Sequence, residues 1–220
     1  MRKRTKKFLF VILIVVLLIA LFDFVLNYDF GKAPYNYEQN DDGTIILTEY
    51  LGDKKYVLIP SVFDEKQVVS LERTFFENSN VEKVYIQPGV KVIDSASFYG
   101  CENLKTVYIP KTVTRLGENA FAYSGIQRIN ISQVTEIDMF CFYECKELYF
   151  FVSETKEILQ LRGSSFFNSG LTYMFLEKNP QYTFTTFSQT CTFGTNQSQL
   201  SKVVCLSPGF IQFLAFLQNY

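Results

Sequence analysis

The chain has 220 residues, 48% of them hydrophobic and 20% charged, with a net charge of −1. That is room for one domain and an appendage, and it excludes the basic footprint of a nucleic-acid binder. Histidine is absent, which rules out histidine-based triads, general bases and metal ligands.

In chain order, residues 1–27 read as a cytoplasmic basic tip and a transmembrane anchor. Arg2, Lys3, Arg4, Lys6 and Lys7 precede Phe8–Leu26, which is apolar apart from Asp23. At about 1.5 Å per residue this stretch spans roughly 28 Å, close to the ~30 Å of a hydrocarbon core. The basic cluster before it keeps the N-terminus in the cytoplasm and puts everything after Leu26 outside. It also argues against a buried soluble helix. A cleaved signal peptide is the rival, since the unbroken run Phe8–Phe22 has the length of an h-region; the chain would then be secreted. Against it, Ala20-Leu21-Phe22 ends in a bulky residue and offers no small-x-small cleavage site, and no cysteine is near enough for a lipid anchor.

Residues 28–43 read as a tether ending in the turn Asp41-Asp42-Gly43. A calcium loop is the sharper reading of that turn, but the later ligands are missing. Thr44–Tyr50 and Tyr56–Ile59 read as a hairpin covering the first of a series of repeated units.

From residue 68 onward one block recurs five times: apolar-x-x-apolar-x-x-x-x-Phe-x-x-Ser/Cys. Its copies are Val68/Leu71/Phe76/Ser79, Val90/Ile93/Phe98/Cys101, Val113/Leu116/Phe121/Ser124, Val134/Ile137/Phe142/Cys145 and Ile158/Leu161/Phe166/Ser169. Each is followed by apolar-x-x-apolar-x-apolar: Val81/Val84/Ile86, Leu104/Val107/Ile109, Ile126/Ile129/Ile131, Leu148/Phe151/Ser153 and Leu171/Met174/Leu176, with Leu200/Val203/Cys205 as a sixth. The closing alternation is a strand signal. Such a unit buries large side chains at about 1.5–3 kcal/mol each, while ordering its backbone costs roughly 1–2 kcal/mol per residue. It cannot fold alone. Stacked units cover one another, their strands pair about 4.8 Å apart, and the phenylalanines line up as a spine.

Leu104-Lys105-Thr106-Val107-Tyr108-Ile109-Pro110, continuing through Val113, Leu116, Gly117, Ala120, Phe121 and Ser124, resembles the BspA-type leucine-rich repeat. Asp41–Leu71 is similar to the opening segment of such proteins. The resemblance implies a mainly β, right-handed leucine-rich-repeat solenoid of about five to six coils over residues 44–206. It also implies surface display and binding, without naming a ligand. Gln87 and Ser132 stand where the pattern has proline, Ser153 breaks an apolar position, and residues 177–199 lengthen the last interval, so an insertion or distorted coil is expected there. Ser207 as N-cap and Pro208 at the first helical position open a short cap helix over residues 207–220, with Phe210, Phe213, Leu214 and Leu217 at helical spacing. A partner-binding or membrane-surface helix is the alternative.

Five cysteines in an exported domain invite a disulfide reading. Cys101 and Cys145 share a column two coils apart, roughly 9–10 Å, beyond disulfide reach, and read as small buried residues. Cys141 with Cys145 and Cys191 with Cys205 stay open as pairs. No C-x-x-C, no phosphate-cradling glycine run and no G-x-S-x-G occurs, so no cofactor or metal is expected. The carboxylates Glu154 and Glu157 read as a solvated face. Gly125, Gly170 and Asn80 follow the Ser of their blocks and are expected in left-handed turns.

The outward positions of the strand block are the candidate partner-binding surface, expected on the concave face. One column holds Lys83, Thr106, Arg128, Phe150 and Tyr173; the next holds Tyr85, Tyr108, Asn130, Val152 and Phe175; Tyr149 adjoins them. Exposed clustered aromatics mark interaction surfaces, unless residues 177–199 fold over them. The function expected is an anchored, extracytoplasmic, non-enzymatic binding module for a protein or glycan, in adhesion or recognition. The alternative is a scaffold subunit of a cell-envelope assembly. In a eukaryotic setting Asn130-Ile131-Ser132 and Asn196-Gln197-Ser198 would be glycosylation candidates.

Overall fold

The computed structural model describes residues 14–18, 21, 28–29, 35–72, 75–76, 79–155, 157, 159–177 and 202–206. Within them the chain winds as a right-handed, mainly β solenoid of about five turns. Each turn contributes a strand to each of two parallel sheets. Strands β1 (Tyr28–Asp29), β4 (Tyr56–Ile59), β7 (Lys83–Ile86), β9 (Thr106–Tyr108), β11 (Arg128–Ile131), β13 (Phe150–Ser153), β15 (Tyr173–Glu177) and β16 (Lys202–Leu206) lie side by side in that order in the first sheet. The second runs β2 (Tyr35–Gln39), β3 (Ile45–Tyr50), β6 (Lys66–Leu71), β8 (Val92–Ile93), β10 (Arg115–Leu116), β12 (Glu136–Ile137) and β14 (Gln160–Leu161), with β5 (Val62–Phe63) paired to β6.

The repeat lengths dictate this stacking. Val84, Val107, Ile129, Phe151 and Met174 point inward from the first sheet, and Leu71, Ile93, Leu116, Ile137 and Leu161 from the second; all are buried. Between them Phe76, Phe98, Phe121, Phe142 and Phe166 stack with successive ring centroids 5.1, 5.0, 5.2 and 4.9 Å apart. That interval matches the strand spacing of about 4.8 Å, so one ring per coil fills the core without a gap. Tyr50 adds a further ring at the N-terminal end, 5.1 Å from Phe76. Ser153, which breaks the apolar pattern, is buried at its inward position, and its hydroxyl accepts the Thr155 N–H at 3.4 Å.

A third side closes each coil without a regular strand. The N–H groups of Ala96, Phe98 and Gly100 donate to the carbonyls of Glu118, Ala120 and Ala122 in the next coil. Those of Asn119, Phe121 and Tyr123 donate to Met139, Cys141 and Tyr143. To aim three alternate N–H groups along the solenoid axis, the residues on either side of the phenylalanine turn left-handed. Ala96, Asn119, Phe140 and Ser164 have φ of 56, 56, 58 and 59°, and Gly100, Tyr123, Glu144 and Asn168 have 66, 58, 58 and 55°. Each non-glycine residue there costs roughly 1–2 kcal/mol, offset by intercoil hydrogen bonds of about 1 kcal/mol apiece.

Several expectations are corrected. Gly125 and Gly170 are not left-handed. They are glycines because an added Cβ would come within 2.0 Å of the Glu102 and Lys146 carbonyl oxygens of the preceding coil. Asn80 likewise lacks a left-handed φ. The segments 44–50 and 56–59 form no hairpin: β3 pairs in parallel with β6 and β4 with β7, in different sheets. They are two sides of the first coil. The antiparallel partner of β3 is β2, drawn from the expected tether; Tyr35 pairs with Tyr50 and Gln39 with Ile45. Strand β1, also from the tether, pairs in parallel with β4.

The expected anchor falls mostly outside the described residues. Residues 14–18 and 21 are helical and exposed, and among the described residues no helix is long and apolar enough to cross a membrane. Of the expected insertion at 177–199 only Glu177, the last residue of β15, is described; the cap helix at 207–220 and Cys191 lie outside the described residues.

Candidate functional site

The candidate surface is the outward face of the first sheet. Parallel pairing aligns Tyr56 with Lys83, Lys83 with Thr106, Thr106 with Arg128, Arg128 with Phe150 and Phe150 with Tyr173. Two residues on, Leu58, Tyr85 and Tyr108 align, as do Asn130, Val152 and Phe175. Strand alternation therefore brings the two predicted columns onto one face, with Tyr149 one residue ahead of β13. From Lys83 to Tyr173 is four strand steps, roughly 19 Å.

The face divides chemically. At its N-terminal end Tyr85 and Tyr108 stack at 4.2 Å with planes 7° apart. One face of each ring is spent on the other, and the edges and phenolic tips are turned toward a ligand. The Lys83 ammonium lies 5.7 Å from the Tyr56 ring. At the C-terminal end Phe150 and Phe175 pack at 5.0 Å, tilted 40°, and Tyr173 stacks on Phe175 at 6.4 Å. The Arg128 guanidinium sits 5.7 Å over Tyr149. Such cation–π contacts hold the cations in place without removing their charge.

The ladder is not continuous. Asn130 separates the two halves, and its Nδ2 donates to Glu154 Oε1 at 3.3 Å. Val152 is fully buried despite its outward register, flanked in the same row by Asn130 and Phe175. Thr106 is half-buried; Arg128, Tyr149 and Tyr173 are exposed. Beside this face Glu82 bridges coils, accepting from Lys55 at 2.9 Å and Lys105 at 3.4 Å. The hydrogen bond from Lys55, against a smaller effect of burial, holds the Glu82 carboxyl below its ordinary value.

Two features of the surface are not anticipated by the repeat pattern. On the third side Tyr99, Tyr123, Tyr143 and Phe167 form an aromatic row, with centroids 5.5, 5.4 and 5.6 Å apart. Its sequence signal is an aromatic residue one or two places after the spine phenylalanine. On the second sheet an open depression of about 530 Å³ is lined by Ser95, Arg115, Glu118, Glu136, Asp138, Met139 and Arg162. Arg115 reaches Asp94 at 3.4 Å and also pairs with Asp138, and Arg162 reaches Asp138 at 3.0 Å and Glu136. Burial opposes the Arg115 charge, but the hydrogen bond to Asp138 and the nearby carboxylates outweigh it and raise its pKa. This ladder clamps successive coils. Two arginines, Arg115 and Arg162, are shared among three carboxylates, Asp94, Glu136 and Asp138, and the Ser95 hydroxyl at the edge of the depression donates to Asp94 Oδ1 at 3.3 Å.

Cys101, Cys141 and Cys145 are free thiols and buried, so the Cys141–Cys145 pairing is not made. Cys145 Sγ donates to the Phe121 carbonyl at 2.9 Å, and burial pushes its pKa up to about 12. Burial raises Cys141 well above its ordinary value too. Among the described residues no group of three acidic or cysteine side chains could hold a metal ion.

A solenoid whose coils stack short parallel strands, with a buried aromatic spine and a side-chain-lined strand face, defines a leucine-rich-repeat protein. The chain belongs to the BspA-type leucine-rich repeat family, whose repeat matches in six copies over residues 69–196. No curated protein matches the sequence. Among solved structures the chain is similar to the leucine-rich repeat protein TpLRR of T. pallidum, at 18% identity and a TM-score of 0.50, over 84% of this chain and 94% of that one. It is also similar to the pneumococcal vaccine antigen PcpA, at 18% identity and a TM-score of 0.54, over 78% of this chain but only 46% of that structure. At this identity the likeness is one of fold.

Proposed function

We propose that the protein is a membrane-anchored, extracytoplasmic binding module that takes a protein or glycan partner on the strand face, in adhesion or recognition. One observation carries this: parallel strands hold Lys83, Tyr85, Tyr108, Arg128 and Tyr173 in fixed register on the outward face of the first sheet, with Tyr149 just ahead of β13 beneath Arg128. Preorganised side chains of this kind bind without a large ordering cost. The stacked phenols at one end favour a partner rich in hydrogen-bonding groups, and the Phe150–Phe175 end offers apolar contact. Family membership in a class of binding repeats supports the same reading, and the anchor rests on Phe8–Leu26 behind its basic cluster. No enzymatic role is proposed.

The test is a capture assay of the repeat domain against a glycan array and a panel of extracellular matrix proteins. Replacing Tyr85, Tyr108 and Tyr173 together by Ala should weaken capture by at least about tenfold, the loss expected when aromatic hot spots worth over 1 kcal/mol are removed, with thermal stability nearly unchanged. Undiminished capture would remove the strand face from the account. Binding confined to components of the protein's own envelope would favour the scaffold reading instead.

A further inference from the structure

The described parts of the expected tether, Tyr28–Asp29 and Tyr35–Gln39, are strands of the solenoid, and that bears on where the solenoid stands. Five residues, Asp23 to Asn27, separate the unbroken apolar run from Tyr28 of β1. Fully extended, that link reaches no more than about 20 Å. Strand β1 already pairs with β4, and β2 pairs with β3, so both sheets begin at this end of the molecule. The first coil is therefore held close to wherever the apolar segment ends.

This end carries an unusual pair of side chains. Outside the apolar segment, Leu51 at 49% and Val62 at 57% are the only strongly exposed leucine, isoleucine or valine residues among those described. Both flank the terminal strand β2. Leu51 directly follows Tyr50, which pairs with Tyr35 of β2. Val62 opens the short hairpin β5–β6, whose Phe63 packs edge-on to Tyr35 at 5.1 Å and Tyr37 at 6.0 Å. The hairpin is locked to β2 by the Tyr37 hydroxyl, which donates to Asp64 Oδ2 at 2.6 Å, while Lys66 Nζ lies 5.2 Å from the Tyr37 ring. Two aliphatic side chains are thus presented on rigid supports at the one end the apolar segment enters.

We propose that the N-terminal end of the solenoid rests on the lipid bilayer, with Leu51 and Val62 entering the headgroup–acyl boundary. This rests on the anchored reading of Phe8–Leu26. The surrounding charge is mainly acidic, from Glu38, Asp41, Asp42, Glu49, Asp53, Asp64 and Glu65 against Lys54, Lys55 and Lys66, so the contact is apolar and its surface is a zwitterionic one. The seat sets the solenoid axis away from the membrane. Tyr149, Phe150, Tyr173 and Phe175 then stand four to five strand steps, roughly 19–24 Å, beyond β4, toward the end of the sheet that faces away from the membrane and a partner on an opposing surface.

The absence of tryptophan makes the test clean. Full-length Leu51→Trp, Val62→Trp and Tyr173→Trp variants are each reconstituted into phosphatidylcholine vesicles containing brominated acyl chains, with circular dichroism confirming the fold. Trp at 51 and 62 should be blue-shifted and quenched at least about threefold more than Trp at 173, since only an interfacial indole reaches the acyl region. Vesicle flotation with quenching at 51 and 62 no greater than at 173 overturns the seat and leaves the anchor standing. Failure to float removes the anchor, and the seat with it.

Discussion

At residue scale the structure depends on positions where one atom too many or too few is felt. Phe121 lies mid-spine, stacked on Phe98 and Phe142 and fully buried. Phe121→Ala should cost about 3–5 kcal/mol in urea unfolding, because rings on both sides lose their contact surface. A cost below about 1 kcal/mol would mean the spine is not close-packed. Gly125 provides a sharper contrast. Gly125→Ala drives a methyl into the Glu102 carbonyl and should destabilise by over about 2 kcal/mol, whereas Gly163→Ala meets nothing within 4 Å and should stay within about 1 kcal/mol of the parent. The thiols of Cys101, Cys141 and Cys145 are buried; they should react with a thiol reagent only as fast as the protein unfolds. Rapid native-state labelling of these three would contradict their burial.

At the scale of elements, legibility follows the chemistry. The strand blocks are readable because alternation between core and solvent leaves an apolar period of two, seen in Lys83–Ile86 and Arg128–Ile131. The spine is readable because only a large flat ring fills each coil. The left-handed turns are not. Ala96, Asn119, Phe140 and Ser164 share no side-chain chemistry, and at Ala96 and Asn119 the backbone N–H is aimed at a carbonyl of the next coil. The first coil reads as a hairpin because two short apolar runs around Gly52 look alike whether they pair with each other or with the following coil; the free edge of β7 decides for β4. The face itself is legible from register, but the stacking of Tyr85 on Tyr108 and the burial of Val152 are not, since both depend on neighbours one coil away. Intercoil bridges make a prediction at this scale. The folded-state pKa of Glu82 is depressed by Lys55 and Lys105. Its contribution is thus fully present above the unfolded carboxylate value of about 4.3 and is lost as pH falls through the lower folded value. Glu82→Gln should flatten the acid side of the stability profile without altering stability's trend above neutrality; an unchanged acid limb would mean the bridge contributes nothing.

The described coils form one solenoid with separate faces. Among the described residues the core takes most of the apolar material, the second sheet spends its charges on clamping Asp94, Arg115, Asp138 and Arg162 together, the third side carries the aromatic row Tyr99, Tyr123, Tyr143 and Phe167, and the first sheet presents the mixed cationic and aromatic rows proposed for a partner. That division predicts face-specific sensitivity. Thr106 lies in the middle of the first sheet's outward rows and Gln160 on the exposed face of the second. The most direct measurement is capture affinity of two single variants, Thr106→Glu and Gln160→Glu, in the glycan and matrix-protein assay. Thr106→Glu should lower affinity at least about tenfold by drawing its row neighbours Lys83 and Arg128 into ion pairs and setting an acidic group under the partner, while Gln160→Glu leaves it intact. Equal affinities for the two variants would contradict a binding role for the strand face.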